Sequence, residues 1–136
     1  MPRMTLQPPE LFASTEWGFS QVVVSPPGTI VHIAGQVPWD NQGNAVHPDS
    51  LEKQLDQVLK NIVVAVEAAG GSPDHLQMLR IYIVNFKPGE DANLVARCLS
   101  AVFGNENPPA SSWIGVVGLA QPEYLVEADA VAVIPA

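Results

Sequence analysis

The chain has 136 residues, 47% hydrophobic and 15% charged, enough to bury the core of one compact domain without disulfide or metal staples. Its six Lys and Arg against 14 Asp and Glu leave a net charge of −8, the wrong sign for a surface that neutralises phosphates, which argues against a nucleic-acid partner. The single cysteine, Cys98, excludes an internal disulfide and a cysteine-built zinc site and suits a reducing cytoplasm.

Residues 1–15 read as a loose N-terminal segment. Pro2, Pro8 and Pro9 fall where a secretory signal needs its apolar stretch, and no apolar run approaches the ~18 residues of a membrane span, so a soluble, unprocessed protein is expected. From Gln21 to Val37 two apolar runs flank Pro26, Pro27 and Gly28, which predicts a hairpin. WDNQGNAV, after Pro38, reads as a surface loop.

The period then changes. Between Asp49 and Ala69, Leu51, Leu55, Val58, Leu59, Ile62 and Val66 form a helical stripe, with Asp49 and Glu52 as a capping box and Gly70, Gly71 and Pro73 as the stop. Residues 76–84, LQMLRIYIV, predict a strand, and 91–103 a second helix closed by Gly104. Two last strands fall at 112–118 and 124–134. The order β-β-α-β-α-β-β predicts a single α+β domain over 1–136, a mixed sheet with both helices packed on one face. SWIGVV and VEADAVAVI alternate only weakly, so the second face also needs cover, and a partner subunit in a closed symmetric ring supplies it.

Few side chains suggest chemistry. Glu127 is the strongest polar anomaly, because a carboxylate in an apolar strand resists ionisation and so suits a general base; the bland reading is an interface hydrogen bond. His32 has no carboxylate or cysteine at ligand or triad spacing and reads as a core or interface histidine, while His47 and His75 read as surface residues. Ser111 and Ser112 lack a G-x-S-x-G elbow and a positioned His-Asp pair. Gly70-Gly71 follows a helix and does not open one, so it is no phosphate loop. No metal or cofactor site is expected.

HIAGQVP, QLDQVLKNIVVAVEAAG, RIYIVNF, the DAN helix opening, the PPAS turn and LVEADAVAV, in this order from about Trp17 to Ile134, resemble the RidA/YjgF reactive-intermediate deaminases. The resemblance implies a chorismate-mutase-like homotrimer, cytoplasmic and cofactor-free, with the three sheets turned inward and a small-molecule pocket at each subunit interface. Members with the family's arginine hydrolyse enamines and imines of 2-keto acids. By that resemblance Glu127 positions the attacking water, and Gly35 and Asn93 match substrate-binding positions. Phe19 stands where many members have tyrosine, Ala34 where they often have serine, and Ser111 where the arginine clamps a carboxylate through two charge-assisted hydrogen bonds. Period-two alternation puts Trp113 beside Ser111. Hydrolysis of a flatter, less charged imine, enamine or related C–N compound is therefore expected, with ordinary 2-imino acid deamination weak or absent. The alternative is a non-catalytic, metabolite-binding trimer, and a third reading is a protein-interaction role for the acidic surface.

Overall fold

The computed structural model describes residues 3–136. A two-stranded ribbon of β1 (Met4–Leu6) and β2 (Val22–Val24) precedes a four-stranded sheet of β3 (Gly28–Gln36), β4 (Leu76–Val84), β5 (Ala110–Val116) and β6 (Val126–Pro135), ordered β3-β6-β4-β5. β6 runs antiparallel to β3 and β4, and β4 parallel to β5. Helix α1 (Leu51–Ala68) carries the chain from β3 to β4, and α2 (Glu90–Phe103) from β4 to β5. This is the mixed α+β arrangement that the sequence predicts.

Both helices pack on one sheet face. The α1 stripe of Leu55, Val58, Leu59, Ile62 and Val66 meets Leu79, Ile81 and Ile83 of β4 and Val126, Ala128, Ala130 and Ala132 of β6 in one buried cluster. Three alanines at successive inward positions of β6 leave room for the longer side chains of α1. Each Leu or Ile so buried contributes about 1.5–3 kcal/mol by leaving water. Val95, Cys98 and Leu99 of α2 complete the core. Burial first, then the charge of nearby Asp56, pushes the Cys98 thiol up to about 12, so it packs as a small hydrophobe.

Several local expectations change. The cap of α1 is Ser50, whose hydroxyl accepts from the Lys53 N–H at 3.1 Å, and not Asp49 one residue earlier. The expected hairpin does not form: β2 pairs with β1, and β3 with the longer β6. Pro26 and Pro27 carry no N–H to continue a ladder from β2 into the turn, whereas β6 offers β3 a full-length partner. The last strands begin and end about two residues from their expected bounds.

Residues 1 and 2 of the segment expected to be loose lie outside the described residues. From Arg3 onward the segment is anchored. The buried Arg3 guanidinium donates to the carbonyls of Leu76 at 2.5 Å, Pro73 at 2.6 Å and Asn107, and the Thr5 hydroxyl to Asn107 Oδ1 at 2.8 Å. Three carbonyls from two distant turns replace the water that an arginine would otherwise hold.

Among the described residues no helix packs on the second sheet face. Ile30 is 61% exposed and Ile114 38%, beside the polar side chains of Arg80, Tyr82, Glu127 and Asp129. Val117, just past β5, is 99% exposed.

Candidate functional site

The β5 edge holds an aromatic recess. Ser111 and Trp113 pair in register with Leu79 and Ile81 of β4, so their side chains lie on the helix-covered face. The Trp113 indole N–H donates to the Ser111 hydroxyl oxygen at 2.9 Å. Phe19 stands edge-to-face on Trp113 with ring centroids 5.5 Å apart, and Phe12 on Phe19 at 5.9 Å. With Trp17 these residues line a recess of about 470 Å³.

The approach to β5 is fixed by a short 3-10 turn, Ser14–Trp17, ending at Gly18. Gly18 has φ +82°, and a Cβ there would come within 2.8 Å of Leu99 Cβ on α2, so only glycine lets the chain turn against the helix. The buried Ser14 hydroxyl donates to the Phe19 carbonyl at 2.8 Å. The Ser20 hydroxyl donates to the Pro108 carbonyl at 2.5 Å, and its N–H to the Pro109 carbonyl at 3.0 Å. Phe19 is thereby locked one residue from the start of β5.

Glu127 lies on the other face, because it pairs with Tyr82 and not with an inward position. Its neighbour from β3 is Gly35, which with Ala34 sits where the β3–β6 register shifts between Ile33 and Gln36. A Cβ on Gly35 would fall 2.0 Å from Glu127 Oε2, so the carboxylate occupies the space that the glycine leaves. Ala34 is exposed beside it. Among the described residues no hydrogen bond reaches the Glu127 carboxylate. Burial, and then the charge of Asp129, raises its pKa above the ordinary value.

Asp129 is satisfied where Glu127 is not. It accepts from Arg80 Nε at 2.8 Å and from the Tyr82 hydroxyl at 3.0 Å. Arg80 is thus paired on the open face, opposite Ser111, and its guanidinium does not replace the missing arginine at the β5 recess.

The predicted site residues therefore fall into separate groups within one chain. Phe19, Ser111 and Trp113 come together at the edge recess, and Ala34, Gly35 and Glu127 on the open face. Asn93, exposed on α2, joins neither; with Glu16, Ala96, Arg97 and Ser100 it lines a second recess on the other side of Trp17. Sequence reasoning missed Phe12 and Trp17, although three aromatics within FASTEWGF were a signal of something more than a loose leader. It also missed the bonding of Asp129 to Tyr82, which depends on cross-strand register.

A mixed sheet, helices on one face, an unbonded carboxylate on the other and a recess at the margin define a small α+β protein with a split candidate pocket. Residues 12–134 match the family model described as Endoribonuclease L-PSP, and the chain belongs to that family, the Rid or RidA/YjgF proteins. It is 32% identical over 105 residues to a RutC family protein of Saccharolobus solfataricus, covering 77% of this chain and 79% of that one. The crystal structure of YyfB from Yersinia pestis, a Rid family protein of unknown function, superposes with a TM-score of 0.92 at 36% identity, covering 98% of this chain and all (100%) of that one. RidA from an Antarctic Psychrobacter superposes at 0.68 and 26% identity, covering 85% and 87%.

Proposed function

We propose that the chain is an oligomeric C=N hydrolase whose pocket is completed by a second copy, with Glu127 positioning and deprotonating the attacking water. The observation that carries this reading is the Glu127 carboxylate itself: partly buried, without a hydrogen-bond partner among the described residues, and given its space by Gly35. A base of raised basicity without a structural bond is free to bind water. As the water oxygen bonds to the imine carbon, Glu127 takes its proton and the C=N π pair moves to nitrogen. Glu127 returns that proton to the nitrogen, and the carbinolamine then breaks its C–N bond as the hydroxyl oxygen closes the carbonyl and its proton passes, through Glu127, to the departing nitrogen, which leaves as ammonia or an amine.

The recess and the carboxylate lie on opposite faces of one sheet, and the helix-free face exposes Ile30 and Ile114. A homotrimer with its sheets turned inward covers that face and brings Glu127 of one copy toward the recess of the next. Sedimentation equilibrium should give three times the chain's 14.5 kDa. Ligand and partner copies are then the only partners required. The acidic net charge of −8 speaks against the ribonuclease activity in the family's name.

Ordinary 2-imino acids should be poor substrates. An arginine–carboxylate hydrogen bond contributes about 1.5–3 kcal/mol and a neutral one about 0.5–1.5, and the Ser111 hydroxyl offers a single donor. The test is hydrolysis of 2-iminopropionate and of bulkier imines generated in situ by an amino-acid oxidase, comparing wild type, Ser111→Arg and Glu127→Gln. Turnover of the bulkier imines that Glu127→Gln abolishes, with 2-iminopropionate hydrolysis gained in Ser111→Arg, is the expected result. Binding without turnover in every variant would favour the second reading, a metabolite-binding trimer, which the occupation of the Ser111 oxygen by Trp113 supports.

A further inference from the structure

We infer that the edge recess selects a planar cation, such as an iminium or amidinium group, over the carboxylate-bearing anions that an arginine would hold. The inference rests on the recess being the ligand site proposed above, and it adds the charge of the ligand. It starts from the lining, which is Phe12, Trp17, Phe19, Trp113 and Ser111, with no lysine or arginine among them.

An anion placed there finds little. Of the two indole N–H donors in the lining, that of Trp113 already donates to Ser111 at 2.9 Å, which leaves only the neutral Trp17 N–H and the serine hydroxyl proton to answer a carboxylate. Arg97 lines the neighbouring recess beyond Trp17 beside Glu16, and Arg80 is bound to Asp129 on the other sheet face. A carboxylate would exchange water for aromatic surface and at most two neutral donors, with no cation to answer its charge, an incompletely compensated loss of solvation.

A cation finds the reverse. The faces of benzene and indole rings carry the negative lobe of the ring quadrupole, and four such rings converge here, two pairs of them in edge-to-face contact at 5.5 and 5.9 Å. The chain's charge of −8 draws cations toward the whole surface. The Ser111 hydroxyl oxygen keeps a lone pair with which to accept from a C=N–H group. In imine hydrolysis the species that water attacks is the protonated C=N, so a recess that favours the cation also favours the reactive form. Arginine at position 111 would put a like charge against it. Serine in that position is then a change of preferred ligand charge as well as the loss of a clamp.

The experiment uses three planar probes of one shape and different charge: benzamidinium, neutral benzamide and anionic benzoate. Each is titrated into the intact protein and followed by two-dimensional NMR, with the indole N–H signals of Trp113 and Trp17 reporting where it binds. Wild type should bind benzamidinium about tenfold tighter than benzamide, and benzoate weakest. Ser111→Arg should reverse the order of cation and anion. Phe12→Leu, at a residue 62% exposed and so of little consequence for folding, keeps an apolar side chain but removes a ring face. It should weaken benzamidinium severalfold and leave benzamide within about twofold. Equal or tighter binding of benzamide or benzoate to wild type, or benzamidinium shifts that bypass Trp113, would overturn the inference. Because these are binding readouts, inactivity toward imines would defeat the hydrolase reading while leaving this result standing.

Discussion

The aromatic recess and the open-face carboxylate cluster are built by different means. The recess comes from one strand edge and the N-terminal segment turned against it, where Gly18, Ser14 and Ser20 lock Phe19 onto Trp113 through backbone contacts. The cluster comes from register alone: β4 and β6 place Arg80 opposite Asp129 and Tyr82 opposite Glu127. In the first region the polar groups serve to hold apolar ones. In the second, Asp129 accepts two hydrogen bonds while, among the described residues, Glu127 accepts none, and the reading proposed above assigns the chemistry to Glu127 and recognition to the recess.

The sharpest way to break that contrast is Glu127→Gln, which should lower imine turnover by about 10²–10⁴, the usual weight of a general base, while the melting temperature hardly moves. Glycine substitutions separate the regions next. In Gly18→Ala the new methyl meets Leu99 at 2.8 Å with φ at +82°, so stability should fall by about 1–3 kcal/mol in urea unfolding and the recess should open. In Gly35→Ala the clash is with the mobile end of Glu127, so the carboxylate swings away; stability should change by less than about 1 kcal/mol while turnover falls at least about tenfold.

Acidity tests the cluster directly. Burial and the charge of Asp129 both raise the Glu127 pKa, and the groups facing it are Tyr82, Arg80 and Asp129 from the sheet and Gly35 from β3. Asp129→Asn removes one cause and frees Arg80, so the acid limb of the turnover profile should move to lower pH. Linkage has a definite sign as well. A carboxyl with a folded pKa above its unfolded one adds stability that is complete below the unfolded value and lost as pH rises through the folded value. Denaturation midpoints measured across that window should therefore slope less steeply downward in Glu127→Gln.

Periodicity and composition made the helices and β4 legible, because α1 and α2 each bury one stripe and β4 is rich in apolar and aromatic residues. The pairing of β2 with β1 was not legible, since a proline-glycine turn fixes a reversal and says nothing about which strand returns to which. The neighbourhood of Ser111 and Trp113 was readable from two-residue alternation, and the structure adds their hydrogen bond. That Glu127 and Ser111 face opposite ways was readable in principle, but only with the β4–β5 and β4–β6 registers in hand, and both depend on contacts far apart in the chain.

The smallest effect belongs to the bond that joins recognition to scaffold. Trp113→Phe keeps a ring on Phe19 and removes the N–H that holds the Ser111 oxygen, one neutral hydrogen bond of about 0.5–1.5 kcal/mol in a half-buried place. Unfolding should show a loss within that range. Releasing the serine has a second consequence, because its hydroxyl then rotates freely and can turn its proton toward whatever enters. Benzoate affinity should rise modestly and benzamidinium affinity fall as the indole face is replaced by a weaker one, both read from the remaining Trp17 indole signal. If the two affinities changed in parallel, Trp113 would be only a wall of the recess, and the selectivity assigned to it would have to rest on Phe12, Trp17 and Phe19.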